Sequence, residues 1–247
     1  MNKVALVTGG TRGIGRSITD GFLQAGYHVV AVARREPVGD LGGAQFFTAD
    51  LREPEAVEGM MEQVLASLGR LDVLVNNAGG SPFALAAEAS PNFHDKVIRL
   101  NLLAPLHCAQ AANRIMQAQD EGGVIINIAS VSGLRPSPGT AAYGAAKAGL
   151  ISLSRSLAVE WAPKVRMNAI AAGLVRTKDS EAHYGGSEGL ARVAATVPLG
   201  RMAEPHDVAS LCVFLASEKA AYLSGSCLEL HGGGEAPAFL AAARGED

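Results

Sequence analysis

The sequence has few of the residues that build disulfide frameworks, metal centres and nucleic-acid surfaces. Its three cysteines, Cys108, Cys212 and Cys227, lie far apart and form no C-x-x-C pair. Separated thiols are typical of a reduced intracellular protein, and neither they nor the histidines show a metal-ligand spacing. The net charge of −3, with only 18% charged residues, argues against a nucleic acid or an anionic membrane as partner.

Long apolar runs and targeting patterns are also missing. No run is long enough to span a membrane, and Met1-Asn2-Lys3 leads directly into a strand-like segment without the pattern of a signal peptide. We therefore expect a cytoplasmic protein with no membrane partner. Its 247 residues are 48% hydrophobic, enough for a large core. No internal repeat or linker divides them, so a single domain over residues 1–247 is predicted.

The first part of the chain contains a strand, a glycine-rich turn, a helix and a second strand. The apolar runs at 4–7 and 29–33 are the strands, and residues 8–15 form the turn. Two parallel strands joined by a helix are the repeating unit of a doubly wound sheet. The beginning of the chain therefore predicts an α/β fold.

The turn itself indicates a ligand. Gly9, Gly13 and Gly15 allow it to fold tightly and allow a ligand to approach the backbone. The helix that follows offers unpaired N–H groups and a positive dipole end, which suit a pyrophosphate. The spacing is G-x-x-x-G-x-G rather than the G-x-G-x-x-G of the common dinucleotide fingerprint. A structural turn without a ligand is the alternative.

The remaining segments complete the predicted fold. Only about ten residues separate the second and third strands, too few for a crossover helix. Residues 178–197 are polar and lack a clear period, so they are predicted to be a loop, with a substrate lid at about 178–200. We expect a Rossmann-type, doubly wound, parallel seven-stranded sheet in a three-layer αβα domain. Further strands are predicted at 45–50, 71–75, 124–128, 165–170 and 227–230, and helices at 53–68, 91–119, about 141–162 and 205–216.

A tyrosine and a lysine are placed to act together on a proton. Tyr143 and Lys147 are four residues apart in a predicted helix and so share one face of it. Free tyrosine has a pKa of about 10, and a fixed ammonium group beside it favours the phenolate and lowers that pKa. Ser130 follows a predicted strand, from which its hydroxyl can meet the same substrate oxygen. Without this context, a Y-x-x-x-K pattern is more often a solvated helix face.

In this order and spacing, the motifs resemble the short-chain dehydrogenase/reductase family over about residues 3–234. Segment 197–205 and Phe214-Leu215-Ala216-Ser217 are most similar to members like β-ketoacyl-acyl-carrier-protein reductase, a group with varied substrates. The motifs that carry the resemblance are Thr8-Gly9-Gly10-Thr11-Arg12-Gly13-Ile14-Gly15, Asn76-Asn77-Ala78-Gly79, Asn101, Ser130 and the pair Tyr143 and Lys147.

The resemblance implies a reversible hydride transfer between a nicotinamide cofactor and a small carbonyl or alcohol substrate. In the direction of reduction, a ketone such as a 3-oxoacyl thioester becomes a secondary alcohol. Tyr143 would protonate the oxygen, Ser130 would orient it, and Lys147 would hold the nicotinamide ribose and lower the tyrosine pKa. Asn101 would hold a water that links Lys147 to solvent. The alternatives are a turn serine at 130 and, at 101, a helix asparagine bonded only to backbone.

Cofactor choice depends on the end of the second strand. An NAD enzyme needs a carboxylate there, but this chain has Ala33-Arg34-Arg35, and guanidinium groups bind phosphate well. NADP(H) is therefore favoured over NAD(H), with Arg34 as the main contact and Arg35 facing solvent. Arg12 is second, because members that use NAD also carry it. The cofactor contacts implied by the resemblance are Gly9, Thr11, Arg12, Gly13, Ile14, Gly15, Arg34, Asp50, Leu51, Asn77, Ala78, Gly79, Tyr143, Lys147, Val175 and Thr177.

Family assembly implies a homotetramer, with a homodimer as the alternative, through the helices that carry Asn101 and Tyr143. Arg135 lies where it would meet an acyl-carrier or coenzyme A phosphate, although a solvated loop arginine is the simpler interpretation. The first alternative to ketone reduction is an NAD(P)-dependent secondary alcohol dehydrogenase that works in the oxidative direction. Two functions of other kinds also compete. One is a non-catalytic NADP(H)-binding regulator, which would not need the Tyr/Lys pair. The other is an enoyl reductase, which is disfavoured because such relatives have a longer Tyr-to-Lys spacing.

Overall fold

A parallel sheet forms the centre of the protein. A computed structural model describes residues 2–178, 180, 184–236, 239 and 243, and within these ranges the sheet has seven strands in the order β3-β2-β1-β4-β5-β6-β7. All neighbouring strands are parallel, which confirms the predicted Rossmann-type, doubly wound domain. The strands are β1 Val4–Thr8, β2 His28–Ala33, β3 Gln45–Thr48, β4 Val73–Asn76, β5 Gly123–Ser130, β6 Val165–Ala172 and β7 Cys227–Leu230.

Helices cover both faces of the sheet. Residues 34–44, between β2 and β3, contain no helix, as their short spacing predicted. The helices among the described residues are α1 Gly13–Gln24, α2 Pro54–Leu68, α3 Pro91–Ile98, α4 Ala104–Ala118, α5 Ala141–Glu160, α6 Gly186–Ala195 and α7 Pro205–Ala216.

Helix α6 corrects the prediction of a loop at 178–197. Gly185 and Gly186 have φ angles of 79° and 85°, in the left-handed region that glycine adopts readily. The two glycines that suggested an irregular segment therefore form the turn from which α6 begins. Residues 179 and 181–183 of the predicted lid lie outside the described residues.

A π-helical turn interrupts the single long helix predicted at 91–119. The turn comprises Arg99–Leu103 and joins α3 to α4. Its wider hydrogen-bonding pattern adds a residue to the helix and alters the direction of the side chains around it. Asn101, which is fully buried, lies at the centre of this turn. Such turns occur frequently at functional sites.

Alternation along the strands supplies two apolar cores. Val4 and Leu6 of β1 point into a cluster with α2 and α4, whereas Ala5 and Val7 point into a second cluster with α1 and α7. Burial on both faces is what all-parallel sheets require. The result is the predicted three-layer αβα arrangement.

The carboxyl ends of the strands lie at one edge of the sheet. There β1 ends at Thr8, β4 at Asn76 and β5 at Ser130. The glycine turn, the loop after Asn76 and the loop that leads to Tyr143 therefore meet at that edge. In open α/β sheets, ligands bind at this edge.

Two kinds of feature are missing from the described part of the chain. None of its helices combines the length and the apolar character needed to cross a membrane. Among the same residues, no three His, Cys, Asp or Glu side chains are grouped so that they could hold a metal ion.

Candidate active site

The glycine turn between β1 and α1 leaves room for a ligand at the helix N-terminus. A Cβ atom at Gly15 would lie 2.1 Å from the Gly9 carbonyl oxygen, so only glycine fits there. Arg12 is the N-cap residue of α1 and makes no side-chain capping bond. The first N–H groups of α1, beside Thr11 and Ile14, are thus free of a side-chain cap and suited to a pyrophosphate. This arrangement fits the predicted dinucleotide.

Thr8 fastens the next cofactor loop to this turn. Its Oγ1 accepts hydrogen bonds from the backbone N–H groups of Asn77 at 2.9 Å and Ala78 at 3.0 Å. The Asn77 amide donates in return to the Thr8 carbonyl at 2.9 Å. The predicted contacts Asn77 and Ala78 therefore lie directly beside the glycine turn. The contacts of Thr8 could not be predicted from the sequence, because its partners are almost seventy residues away.

Charged side chains surround the predicted adenosine end of the site. Arg34, directly after β2, and Arg12 are both exposed, and neither guanidinium group makes a hydrogen bond or salt bridge within the described ranges. Asp50 follows β3 and is paired with Arg52, while Leu51 between them is buried. Two unpaired guanidinium groups and one neutralised carboxylate therefore lie where the nucleotide was predicted.

The structure brings Ser130, Tyr143 and Lys147 together at the end of β5. Lys147 is 3% exposed, and its Nζ donates to the Ile128 carbonyl at 2.8 Å. The same Nζ lies 5.6 Å from the centroid of the Tyr143 ring. The Ser130 side chain interacts with the Tyr143 phenol and accepts a hydrogen bond from the Ser132 N–H group at 3.1 Å. This is the grouping that the sequence predicted.

Burial controls the pKa of both titrating groups. It raises the pKa of Tyr143, and the interaction with Ser130 opposes that rise. It lowers the pKa of Lys147 to about 8. The pKa of Tyr143 is therefore raised, not lowered as the sequence led us to expect, because removal of the phenol from water outweighs the effect of Ser130. A lysine with a pKa of about 8 can exchange protons near neutral pH.

The side chains of Asn101 and Lys147 both lie against Gly79, which has no side chain of its own to keep them away. A Cβ atom there would lie 2.7 Å from the Asn101 Oδ1 and 3.3 Å from the Lys147 Nζ. The Asn101 amide accepts from the Gly80 N–H group at 2.8 Å and donates to the Gly80 and Val97 carbonyls. Its side chain is therefore bonded to backbone, as the alternative interpretation of this residue stated. It also lies next to the predicted catalytic lysine.

A buried chain of hydrogen bonds supports Lys147 from below. Asn76 of β4 donates to the Asn127 side chain at 2.9 Å, and Asn127 donates to the Ser154 hydroxyl of α5 at 2.9 Å. All three side chains are at most 2% exposed. Asn127 immediately precedes Ile128, whose carbonyl receives the lysine. These hydrogen bonds thus fix α5 against β5, the strand whose Ile128 carbonyl accepts the hydrogen bond from Lys147.

The two predicted contacts after β6 lie at the base of the lid segment. Val175 forms a parallel bridge with Ala203, which joins the beginning of this segment to its end. The Thr177 N–H group donates to the Ser180 hydroxyl at 2.8 Å. Both predicted residues are partly exposed beyond the carboxyl end of β6. They are on the same edge of the sheet as Ser130.

Two loops meet at the mouth of the site. The Ala84 N–H group donates to the Gly139 carbonyl at 2.8 Å. The Phe83 ring fills the space beside Gly139, where a Cβ atom would lie 1.9 Å from it. Arg135, in the same loop as Gly139, is paired with Glu235 at 2.5 Å. Sequence analysis missed the contact of Phe83 with Gly139 and this ion pair, which are both long-range contacts.

Comparison with known proteins places this geometry in a family. A family model described as enoyl-(acyl carrier protein) reductase matches residues 9–235. The 3-oxoacyl-[acyl-carrier-protein] reductase of Haemophilus influenzae is 35% identical over 240 residues, which cover 94% of this chain and 97% of the relative. The chain belongs to the short-chain dehydrogenase/reductase family. It is thus an NAD(P)-dependent oxidoreductase acting on CH–OH or C=O groups.

Other members of the short-chain dehydrogenase/reductase family show how varied its relatives are. The probable 2,4-dienoyl-CoA reductase of Bacillus subtilis is 35% identical over 243 residues, covering 94% of this chain and 96% of the relative. The structure of ElxO with NADP bound matches with a TM-score of 0.87 and 31% identity, over 94% of this chain and 98% of ElxO. The fold is thus shared, and the relatives that are named for a substrate act on different ones.

Proposed function

We propose that the protein reduces a ketone to a secondary alcohol with NADPH, and that the reaction is reversible. The observation that carries the proposal is the grouping of Ser130, Tyr143 and Lys147 beside a glycine turn that fits a dinucleotide. A 3-oxoacyl thioester is the first substrate class to test, because the Haemophilus influenzae relative is named for it.

The side chains have separate roles in this proposal. The bound nicotinamide supplies the hydride that the carbonyl carbon receives. Ser130 donates a hydrogen bond to the carbonyl oxygen and orients it. Tyr143 gives that oxygen a proton, and in oxidation the phenolate removes it. Lys147 holds the nicotinamide ribose and returns a proton to Tyr143.

Resupply of the proton is assigned to the neighbourhood of Asn101. The Asn101 Oδ1 and the Lys147 Nζ approach the same position beside Gly79. A water held there by the π-helical turn would connect the buried ammonium to solvent. This role places Asn101 in proton transfer although its side chain is bonded to the backbone of Gly80 and Val97.

NADP(H) is preferred over NAD(H) in this proposal. The end of β2 carries Arg34 rather than a carboxylate, and Arg34 and Arg12 are exposed and unpaired within the described ranges. Both can therefore turn to a ribose 2′-phosphate, which guanidinium groups bind well. ElxO, a structural relative, was solved with NADP bound. The other contacts assigned to the cofactor are Gly9, Thr11, Gly13, Ile14, Gly15, Asp50, Leu51, Asn77, Ala78, Gly79, Val175 and Thr177.

We further propose a cytoplasmic homotetramer, with a homodimer as the alternative, in which segment 178–200 acts as the substrate lid. Small residues on α5 support close packing with a second chain: Ala145, Ala148, Ser152 and Ser156 are exposed, and Val159 beside them is 81% exposed. Gly144 and Gly149 lie against Ser132 and Leu102 of the same chain. Light scattering at several protein concentrations tests the assembly.

Reduction of a conjugated C=C bond is a second candidate, because the Bacillus subtilis relative is named a dienoyl-CoA reductase. A panel of 3-oxoacyl thioesters, cyclic ketones, quinones and dienoyl thioesters, assayed with NADPH and NADH, tests both. Turnover of ketones supports the proposal, and turnover of dienoyl thioesters alone supports the second candidate. Tight NADPH binding without consumption would instead favour a non-catalytic regulator.

The cofactor preference has its own experiment. Arg34→Glu should weaken NADPH binding far more than NADH binding, because the new carboxylate repels a 2′-phosphate. Equal losses for the two dinucleotides would contradict the assignment of Arg34.

A further inference from the structure

We propose that Arg52 is a specificity-determining residue, which favours a 2′-phosphorylated dinucleotide by neutralising Asp50 beside the Arg34 guanidinium. The inference rests on the proposed cofactor site at this edge of the sheet. It concerns the difference in affinity between NADPH and NADH, whichever of them the protein prefers.

Arg34 and Asp50 follow the ends of the two paired strands β2 and β3. Ala33 at the end of β2 is paired with Thr48 at the end of β3, and the Ala49 N–H group donates to the Ala33 carbonyl at 3.2 Å. Arg34 directly follows Ala33, and Asp50 directly follows Ala49. The Arg34 charge acts on Asp50, although no salt bridge joins them among the described residues.

Arg52 takes up the Asp50 carboxylate instead. Its Nε donates to the Asp50 Oδ1 at 2.9 Å, and its Nη2 donates to the other carboxylate oxygen. The Arg52 backbone N–H group adds a bond to Oδ1 at 3.2 Å. Two side-chain bonds to the two carboxylate oxygens form a bidentate pair. The hydrogen bond from Arg52 is also the main cause that lowers the pKa of Asp50, so the carboxylate is charged at neutral pH.

This pairing matters because of where the carboxylate lies. A carboxylate near the adenosine ribose repels a 2′-phosphate and favours NAD over NADP. Asp50 is a predicted cofactor contact and lies within reach of the Arg34 charge, so its own negative charge would act against a phosphate bound by Arg34. Because Arg52 neutralises the charge of Asp50, Arg34 and Arg12 keep positive charges that no salt bridge within the described part of the chain compensates. The sequence identified the two arginines but not the third, which gives them a neutral neighbour.

Removal of the Arg52 charge should have a moderate effect on the affinity for a 2′-phosphorylated dinucleotide. The side chains of Arg52 and Asp50 are 28% and 31% exposed, so water screens their fields. At such distances and exposures, an uncompensated charge should change phosphate binding about threefold to tenfold. The effect should also shrink as ionic strength rises.

The experiment measures dissociation constants of NADPH and NADH by titration, followed through the fluorescence of the reduced nicotinamide. Arg52→Met removes the charge and keeps a long side chain. It should raise the NADPH dissociation constant about threefold to tenfold more than the NADH constant. Asp50→Asn and the double variant complete a cycle. Arg114→Met is the matched control. It breaks the exposed pair between Arg114 of α4 and Glu58 of α2, and it should leave the ratio of the NADPH and NADH dissociation constants unchanged.

The double-mutant cycle distinguishes neutralisation of Asp50 by Arg52 from a direct contact between Arg52 and the 2′-phosphate. If Arg52 acts by neutralising Asp50, its removal should leave the ratio almost unchanged in the Asp50→Asn background. A selective loss of NADPH binding that persists in that background would overturn the proposal, as would equal losses of both dinucleotides in Arg52→Met. A wild-type protein that prefers NADH would contradict the proposed function alone, because the shift caused by Arg52→Met is still predicted.

Discussion

Replacing Lys147 by methionine should make the protein more stable at neutral pH while abolishing its activity. Burial lowers the pKa of Lys147 from 10.5 to about 8, and this difference corresponds to about 3 kcal/mol of unfavourable burial of the charge. The variant loses the hydrogen bond to the Ile128 carbonyl at 2.8 Å, which costs about 1 kcal/mol. The net expectation at pH 7 is a gain of about 2 kcal/mol in the free energy of unfolding.

The gain should disappear in alkaline solution. Below pH 8 the lysine is protonated in both the folded and the unfolded chain, so the full cost of burying its charge is present. Between about pH 8 and pH 10.5 the unfolded chain binds more protons than the folded one, so the stability of the wild type rises with pH relative to the variant. At the upper end of this range, the wild type should be at least as stable as Lys147→Met.

Urea unfolding at pH 7 and pH 10 tests this, followed by the fluorescence of Trp161, the only tryptophan, and by far-UV circular dichroism. Lys96→Met is the control, because Lys96 is exposed and should change stability by less than about 0.5 kcal/mol. A Lys147→Met variant that is less stable than the wild type at pH 7 would refute the reasoning. So would a difference in stability that does not depend on pH.

Three further predictions concern the surroundings of the site. Gly79→Ala should lower kcat/KM about 100-fold without unfolding the protein, because its Cβ would lie 2.7 Å from the Asn101 Oδ1 and displace that side chain next to the Lys147 Nζ; steady-state kinetics with a thermal melt will show this. Ser154→Ala should lower the free energy of unfolding by about 1–3 kcal/mol in urea titrations, because it leaves the buried Asn127 amide unpaired. Alcohol oxidation should rise with pH, since burial raises the pKa of Tyr143 and the phenolate is the base; initial rates at about pH 6–9 measure this.

Much of the fold could be predicted because its signals are local. Short strand-like runs, most of them apolar, marked all seven strands of the sheet. The Tyr143 and Lys147 spacing placed both side chains on one face of α5, and parallel strands guaranteed that Ser130 would be near them. Helix α6 was missed because Gly185 and Gly186 suggest a loop until their left-handed φ angles are known.

The parts that could not be predicted depend on contacts between distant segments. Thr8 holds Asn77, Phe83 packs on Gly139, and both Asn101 and Lys147 lie against Gly79; no periodicity in the sequence predicts such contacts. The wrong direction for the Tyr143 pKa has the same origin. Residue spacing shows which charges are near, but desolvation depends on everything that surrounds the group.

The central claim is that the Tyr143 hydroxyl is the acid and base of a hydride-transfer site. Tyr143→Phe keeps the ring and its packing and removes only that hydroxyl, and Tyr222→Phe, at a side chain fully exposed to solvent, is its matched control. We predict that Tyr143→Phe binds NADPH as the wild type does but reduces ketones about 10²- to 10⁴-fold more slowly, whereas Tyr222→Phe is unaffected. A Tyr143→Phe enzyme that retains most of its ketone-reducing kcat would contradict the account.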